Sequence, residues 1–165
     1  PTYDVDMRGI KANLPDLLAA LGRSQLRRFS ATQAARRLLV QRYRALLADL
    51  PGVELVPQVA DDASADHLLV VLLPEGTDRD RVVLSLAAVG VTSSVHFQPV
   101  HRFAALRDAL DLTGGLAVCD AMWPRALSLP LHTRLTTDDV ERVVTSLADV
   151  LRPAIDSRGT TCARS

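Results

Sequence analysis

Apolar positions recur every three or four residues along the first third of the chain. The stripe begins beside Pro15-Asp16, where a proline and an acidic residue suit the first turn of a helix, and Pro51-Gly52 ends it. Its members are Leu14, Leu17, Leu18, Leu21, Leu26, Phe29, Ala35, Leu39, Tyr43, Leu46 and Leu50. This spacing predicts a long helix or a helix pair that buries one face.

Shorter segments follow, in which β-type runs alternate with helical patterns. The expected strands are Val53–Pro57 at an edge, His67–Leu73 at the centre, Val91–Phe97 and Leu127–Leu131. The expected helices are one capped by Thr77 or Asp78 that ends at Gly90, then His101–Leu110, Leu116–Arg125, and one that begins at a capping box of Thr136 and Asp139 and ends at Pro153. This order predicts an α/β (α+β) domain with helices packed on a small sheet.

Length and composition agree with a single domain, which we expect over residues 1–152, with a disordered tail over residues 153–165. Nineteen Lys and Arg balance nineteen Asp and Glu, which argues against a wholly basic nucleic-acid-binding protein. The longest apolar run, Leu68–Leu73, is far shorter than the roughly 20 residues that span a bilayer, so no membrane partner is expected. Two cysteines and the lack of a leader pattern predict a cytoplasmic protein.

No familiar catalytic signature occurs in the sequence, so candidate sites rest on weaker patterns. His96 and His101 lie five residues apart, at the end of a predicted strand and across the turn at Pro99. Both could face one cleft, where histidine can move a proton, bind a metal or hydrogen-bond a phosphate. The alternative is that each imidazole only contacts its local element. Because no third ligand is placed beside them, a metal is the weaker interpretation.

Two basic features are also candidates. Lys11 and Asn13 follow Gly9 just before the first predicted helix, a composition that suits an anion cradle but is also common in helix-entry loops. A stretch without acidic residues between Asp16 and Asp49 carries seven arginines, namely Arg23, Arg27, Arg28, Arg36, Arg37, Arg42 and Arg44. Such a face could neutralise nucleic-acid phosphates, or it could simply be solvated. The scarcity of stacking aromatic residues favours the solvated face.

Short segments in a fixed order carry a more specific resemblance. They are residues 9–16 (GIKANLPD), residues 17–26, Arg36-Arg37 with Tyr43, His67-Leu68, Arg79 to Val91, residues 96–101 (HFQPVH), residues 128–132 (SLPLH), and Thr136 to Val144. Together they resemble the C-terminal part of the DegT/DnrJ/EryC1/StrS family of sugar-nucleotide aminotransferases that use pyridoxal 5'-phosphate (PLP). Ile10 and Ala12 depart from the family pattern, which usually has aromatic residues there.

The resemblance implies the small, C-terminal domain of a fold-type-I aminotransferase, led by an interdomain helix. Family members place a large PLP-binding domain first, carry the Schiff-base lysine in it, and work as homodimers on nucleotide-linked sugars. By position, Asn13 corresponds to the residue that reaches the cofactor phosphate of the neighbouring subunit. Lys11, His96 and His101 lie where the resemblance implies contacts to the substrate. No residue of the chain corresponds to a catalytic one.

Three functional hypotheses follow. The first is a truncated or split-gene half of an aminotransferase, inactive alone and completed by a large domain or companion polypeptide. The second is a remnant or interaction module that folds without catalysing a reaction. The third, from another class, is a nucleic-acid-binding module that uses the arginine-rich helix. The first two share one ancestry and differ in whether a partner exists.

We expect the isolated chain not to bind PLP covalently. Its one lysine, Lys11, corresponds to a loop position of the family and not to the Schiff-base lysine, and PLP enzymes need an amine to attach the cofactor. Borohydride reduction after addition of PLP, followed by peptide mapping, measures any adduct, with Lys11→Arg as the control. A stoichiometric adduct confined to Lys11 would contradict this expectation.

Overall fold

The computed structural model describes Asp4, Gly9 and residues 14–57, 64–107 and 115–159. The helices of this part are α1 (Asp16–Arg27), α2 (Phe29–Leu47), α3 (Arg79–Ala88), α4 (Ala104–Arg107), α5 (Ala117–Met122) and α6 (Thr137–Gly159). Two single turns of 3-10 helix lie at Val100–Arg102 and Trp123–Arg125. The strands are β1 (Glu54–Leu55), β2 (Leu69–Leu72) and β3 (Ala126–Leu129). The mixture of helices and a small sheet confirms the predicted fold class.

The three strands form an antiparallel sheet in the order β1-β2-β3. The sequence therefore predicts the central strand and the edge strand β1 correctly. The predicted strand Val91–Phe97 is wrong, because only Ser94 pairs there, through an isolated bridge to Ser128 of β3. Thr92, Ser93 and Ser94 interrupt its apolar run, and short hydroxyl side chains compete with a regular strand ladder.

Three helices cover the sheet and close one hydrophobic core. The fully buried side chains of α2, α3 and α6 meet those of β2 and β3, and the largest are Tyr43, Leu47, Val71, Leu86, Leu127, Val140, Leu147 and Leu151. The Tyr43 hydroxyl donates a hydrogen bond to the Pro130 carbonyl, 2.9 Å away, which ties α2 to the end of β3. Burial, followed by the Asp139 charge, raises the pKa of Tyr43, so its hydroxyl stays a donor at physiological pH.

The first helix does not share this core. The helix is interrupted at Arg28, so the predicted helix pair forms. However, no residue of α1 is buried. Leu17 is 80% exposed and Leu26 is 72% exposed, whereas Leu39 and Leu47 of α2 are almost fully buried. The expectation of one continuous buried face is therefore wrong for α1. Among the described residues, the apolar stripe of α1 is therefore left exposed, and the core helix that α1 contacts most is α2.

The helix-capping predictions are confirmed, and one helix end is corrected. The Asp78 side chain accepts a hydrogen bond from the Arg81 N–H, and Gly90 takes the left-handed conformation (φ +78°) after α3. Thr136 and Asp139 exchange hydrogen bonds as a capping box at the start of α6. We expected Pro153 to end α6, but the helix continues to Gly159. A proline forfeits one hydrogen bond, yet its fixed φ suits a helix.

Two further predictions lie outside the described residues in whole or in part. The predicted helix His101–Leu110 appears as a 3-10 turn followed by the four residues of α4, and residues 108–110 are outside the described part. Residues 160–165 of the predicted tail are also outside it. Residues 153–159 belong to α6, and for residues 160–165 the disordered tail stays a prediction.

Candidate functional site

His96 is held on the sheet by two serine hydroxyls. Its Nδ1 lies 3.0 Å from the Ser128 Oγ and 3.2 Å from the Ser94 Oγ. The backbones of the two serines pair directly: the Ser94 N–H donates to the Ser128 carbonyl at 3.1 Å, and the Ser128 N–H donates to the Ser94 carbonyl at 2.8 Å. The edge of β3 therefore fixes the position of an imidazole that is itself only half-buried.

His101 is held differently, by a carboxylate of α5. Its Nε2 lies 3.0 Å from Asp120 Oδ1, and the same oxygen accepts hydrogen bonds from Arg102 Nε at 3.0 Å and Arg102 Nη2 at 2.7 Å. Hydrogen bonds from Arg102 and then His101 hold the pKa of Asp120 below its usual range. The His101 side chain is only 11% exposed. This geometry gives the His101 Nε2 a structural partner.

The single tryptophan lies beside this ion pair. The guanidinium carbons of Arg79 and Arg102 lie 5.0 and 4.8 Å from the Trp123 ring centroid. Arg79, which is buried, also donates from Nη1 to the Trp123 carbonyl at 2.7 Å. The helix start at Arg79, the 3-10 turn at Arg102 and the segment around Trp123 are thereby locked together.

Sequence reasoning missed Ser94, Ser128, Asp120 and Trp123 as members of this region. Residues two apart in an extended segment point to the same side, so the spacing of Ser94 and His96 was a usable signal. Ser128 lies 32 residues from His96, and no local pattern links the two. The same holds for Asp120, which lies 19 residues after His101. Long-range pairs of this kind depend on tertiary packing.

The predicted site residues are not all within the described part. Lys11 and Asn13 lie outside it, so their roles stay predictions. His96 and His101 are held by different elements, and no hydrogen bond joins the two imidazoles in residues 14–57, 64–107 and 115–159. Asp4 accepts a hydrogen bond from the Ala104 N–H at 2.9 Å. The beginning of the chain therefore reaches the turn that follows His101.

The donor groups of the described residues limit the cofactors that they can hold. They include no lysine, since Lys11 is the only one in the chain, and therefore no side-chain amine for attachment of an aldehyde cofactor. Nor do they contain a group of three or more His, Cys, Asp or Glu side chains that could hold a metal ion. Across the same residues, no helix is long and apolar enough to cross a membrane.

Several arginines of the basic stretch are used within the chain. Arg42 forms an ion pair with Glu141 of α6, and Arg37 Nε lies 3.9 Å from Asp66. Arg44 donates two hydrogen bonds of 3.2 Å to the Val56 carbonyl. These contacts engage Arg37, Arg42 and Arg44, three of the four arginines of α2, within the chain. The expectation that nucleic acid is not a partner stays a prediction.

Replacement of Asp120 by Asn is expected to lower stability in a pH-dependent way. Because the pKa of Asp120 is lowered on folding, its carboxylate stabilises the fold above its unfolded pKa of about 3.9, and this contribution disappears as the pH falls through the folded value. Urea midpoints at pH 7 and below pH 3 measure the difference between wild type and Asp120→Asn. Asp49→Asn removes an exposed carboxylate as a control for net charge. An equal difference at both pH values would contradict the ion-pair interpretation.

Comparison with known proteins gives the same family as the sequence motifs. The model of the DegT/DnrJ/EryC1/StrS aminotransferase family matches residues 1–148. Among solved structures, the chain is similar to the aminotransferase TlmJ from Streptoalloteichus hindustanus, with 27% identity and a TM-score of 0.72 over 85% of this chain. The PMP form of Spr1654 from Streptococcus pneumoniae matches with 25% identity and a TM-score of 0.76 over 96%. The sugar aminotransferase CalS13 from Micromonospora echinospora matches with 25% identity and a TM-score of 0.69 over 81%.

These matches cover only part of the related proteins. The chain spans 37% of TlmJ, 40% of Spr1654 and 34% of CalS13. It therefore corresponds to little more than a third of an aminotransferase of this kind. From the match of residues 1–148 and the helix-and-sheet fold that supports it, the chain belongs to the DegT/DnrJ/EryC1/StrS aminotransferase family.

Proposed function

We propose that this chain is the small-domain part of a PLP-dependent aminotransferase that acts on a nucleotide-linked keto sugar. In this proposal it works only together with a large domain that holds the cofactor, supplied by further chain or by a companion polypeptide, in a cytoplasmic homodimer. Membership of the family and the name of the sugar aminotransferase CalS13 support the reaction class. The exposed thiol of Cys119, which is free, accords with a reducing compartment.

The uncovered apolar face of α1 is the observation that carries this proposal. Five leucines and one phenylalanine on or next to α1 are exposed, namely Leu14, Leu17, Leu18, Leu21, Leu26 and Phe29. An apolar face of this kind is typical of a surface that another domain or subunit covers. The chain spans about two-fifths or less of its relatives' length, so a large part of those proteins has no counterpart here to provide the cover.

The proposed division of labour follows from the side chains. PLP, when bound, supplies the electron sink for transfer of an amino group. The large domain must provide the lysine that binds it, since the described residues of this chain contain none. Asn13 would donate an amide hydrogen bond to the cofactor phosphate of the neighbouring subunit. Lys11, His96 and His101 would contact the nucleotide-linked sugar.

Polar substitutions on α1 are expected to weaken assembly while leaving the fold of this chain intact. Leu17 and Leu21 are 80% and 55% exposed, so Leu17→Glu with Leu21→Glu removes little burial from the isolated chain. In the assembly the same change would place two charges in an apolar interface, and we expect at least a tenfold rise in Kd for a separately made large domain of a related aminotransferase. Calorimetric titration measures the Kd, and circular dichroism checks the fold.

The matched control for this experiment is Leu84→Glu. Leu84 is 71% exposed on α3, and the substitution introduces the same charge on a different surface. We expect this variant to bind the large domain as wild type does. Unchanged binding by the double α1 variant, or an equal loss in the α3 variant, would contradict the proposal that α1 is the covered face.

Reconstitution in trans tests the function itself. Mixing the chain with that large domain is expected to give aminotransferase activity on a nucleotide-linked 4-keto sugar. A hydrogen bond to a charged group is worth roughly 1.5–3 kcal/mol, so Asn13→Ala should weaken PLP retention about ten- to a hundredfold. His96→Ala should raise the KM for the sugar nucleotide and leave PLP retention unchanged.

The exposed His132 provides the control, as His132→Ala removes an imidazole from another part of the chain. If Asn13→Ala retains PLP as wild type does, the role of Asn13 across the dimer is wrong. If both Asn13→Ala and His96→Ala only lower the melting temperature, the two residues stabilise local elements and the hypothesis of a non-catalytic remnant gains support.

A further inference from the structure

The serine hydroxyls next to His96 indicate which tautomer its imidazole adopts. Ser128 is 3% exposed, and its hydroxyl must donate its one hydrogen to an acceptor or leave it unsatisfied in the core. Among the described residues, the one partner of the Ser128 hydroxyl is His96 Nδ1, at 3.0 Å. The Ser94 hydroxyl likewise has His96 Nδ1 as its one side-chain partner there, at 3.2 Å.

An imidazole nitrogen that accepts a hydrogen bond carries no proton. Nδ1 offers one lone pair, which the buried Ser128 hydroxyl takes as the nearer donor and the Ser94 hydroxyl shares from 3.2 Å. The neutral ring must then carry its proton on Nε2. Nδ1 and Nε2 flank the same ring carbon, but their hydrogen-bonding directions diverge widely in the ring plane, so an Nδ1 anchored at the sheet directs the Nε2–H away from it. Nε2 has no hydrogen-bond partner in the described part of the chain, and it is available as a donor to a bound molecule.

A neighbouring aromatic ring limits rotation of the imidazole. The Phe97 ring meets the His96 ring edge to face, with centroids 4.9 Å apart and an interplanar angle of 81°. Phe97 itself is 65% exposed. The ring is therefore held through Nδ1 on one side and by an aromatic contact beside it, while its outer edge stays open.

We propose that Ser94 and Ser128 are positioning residues that fix His96 as the Nε2–H tautomer, so that it donates a hydrogen bond to an oxygen of the bound nucleotide-linked sugar. This inference rests on the proposed function for the identity of the ligand, but the anchoring of the imidazole does not. The two serines act only through His96 and do not touch the substrate.

Ser93 provides a matched control within the same segment. It is buried like Ser128, but its hydroxyl has no hydrogen-bond partner among the described residues. Ser93→Ala therefore removes a buried hydroxyl without changing the hydrogen bonds of His96. Any effect of Ser94→Ala or Ser128→Ala that Ser93→Ala also causes would be a general effect of altering this segment.

Nitrogen NMR of the isolated chain tests the anchoring without cofactor or substrate. The chain has four histidines, so long-range nitrogen–proton spectra can resolve each ring, and loss of a signal in His96→Gln assigns it. In wild type at neutral pH we expect an unprotonated Nδ1 and a protonated Nε2. Ser94→Ala with Ser128→Ala should shift the Nδ1 resonance and speed exchange of the Nε2 proton with water, whereas Ser93→Ala should change neither.

Variants differ in their risk of misfolding. Ser94 is half-buried, so Ser94→Ala alone gives the same test if the buried Ser128→Ala fails to fold. Ser128→Thr keeps a hydroxyl and should retain the wild-type Nδ1 resonance. A protonated Nδ1 in wild type, or an Nδ1 resonance that Ser94→Ala and Ser128→Ala leave unchanged, would overturn the proposal.

Kinetics of the reconstituted enzyme then test the consequence for substrate. Ser94→Ala with Ser128→Ala should raise the KM for the sugar nucleotide about three- to tenfold, and should add nothing in a His96→Ala background, because the serines act through the imidazole. Additive effects would overturn the positioning role. If the NMR result holds but His96→Ala leaves the KM unchanged, the substrate contact assigned to His96 is wrong and the anchoring stands.

Discussion

Strand β3 pairs along its whole length with β2 and, at Ser128, with the segment that carries His96. The first pairing makes β2 the centre of the sheet, against which α2, α3 and α6 bury their apolar stripes. The second joins the half-buried segment that carries His96 to the sheet. Close packing fixes the core side chains of both strands and, with them, the Ser128 hydroxyl. The sheet therefore determines the position of the segment that carries His96.

The parts of the fold that a sequence pattern could predict are those set by local chemistry. Helix ends depend on contacts within a few residues, and the ends predicted from Asp78, Gly90 and the pair Thr136–Asp139 are confirmed. The prediction that α6 ends at Pro153 is wrong, because the fixed φ of proline is compatible with a helix even though proline weakens it. Periodicity likewise identified β2 as central, since a strand buried on both faces reads as an unbroken apolar run.

The contacts of the candidate site were harder to predict from local sequence patterns. The sequence motif drew attention to His96 and His101, but spacing alone could not distinguish a shared cleft from two separate anchorages. The structure gives each imidazole a partner from a distant part of the chain: Ser128 for His96 and Asp120 for His101. The prediction that the apolar stripe of α1 is buried was wrong for a different reason. Amphipathic spacing indicates that a helix has an apolar face, but not which molecule covers it.

The position of Trp123 beside the guanidinium groups of Arg79 and Arg102 has a practical consequence. Because the chain contains one tryptophan, its intrinsic fluorescence above the tyrosine band originates at a single place, next to the Asp120 ion pair. The emission therefore reports the packing of the His101 turn against α5 and the start of α3. A fluorescence titration and a circular dichroism melt of this chain would follow different regions of the same molecule, and any gap between the two curves would measure how independently the loop region opens.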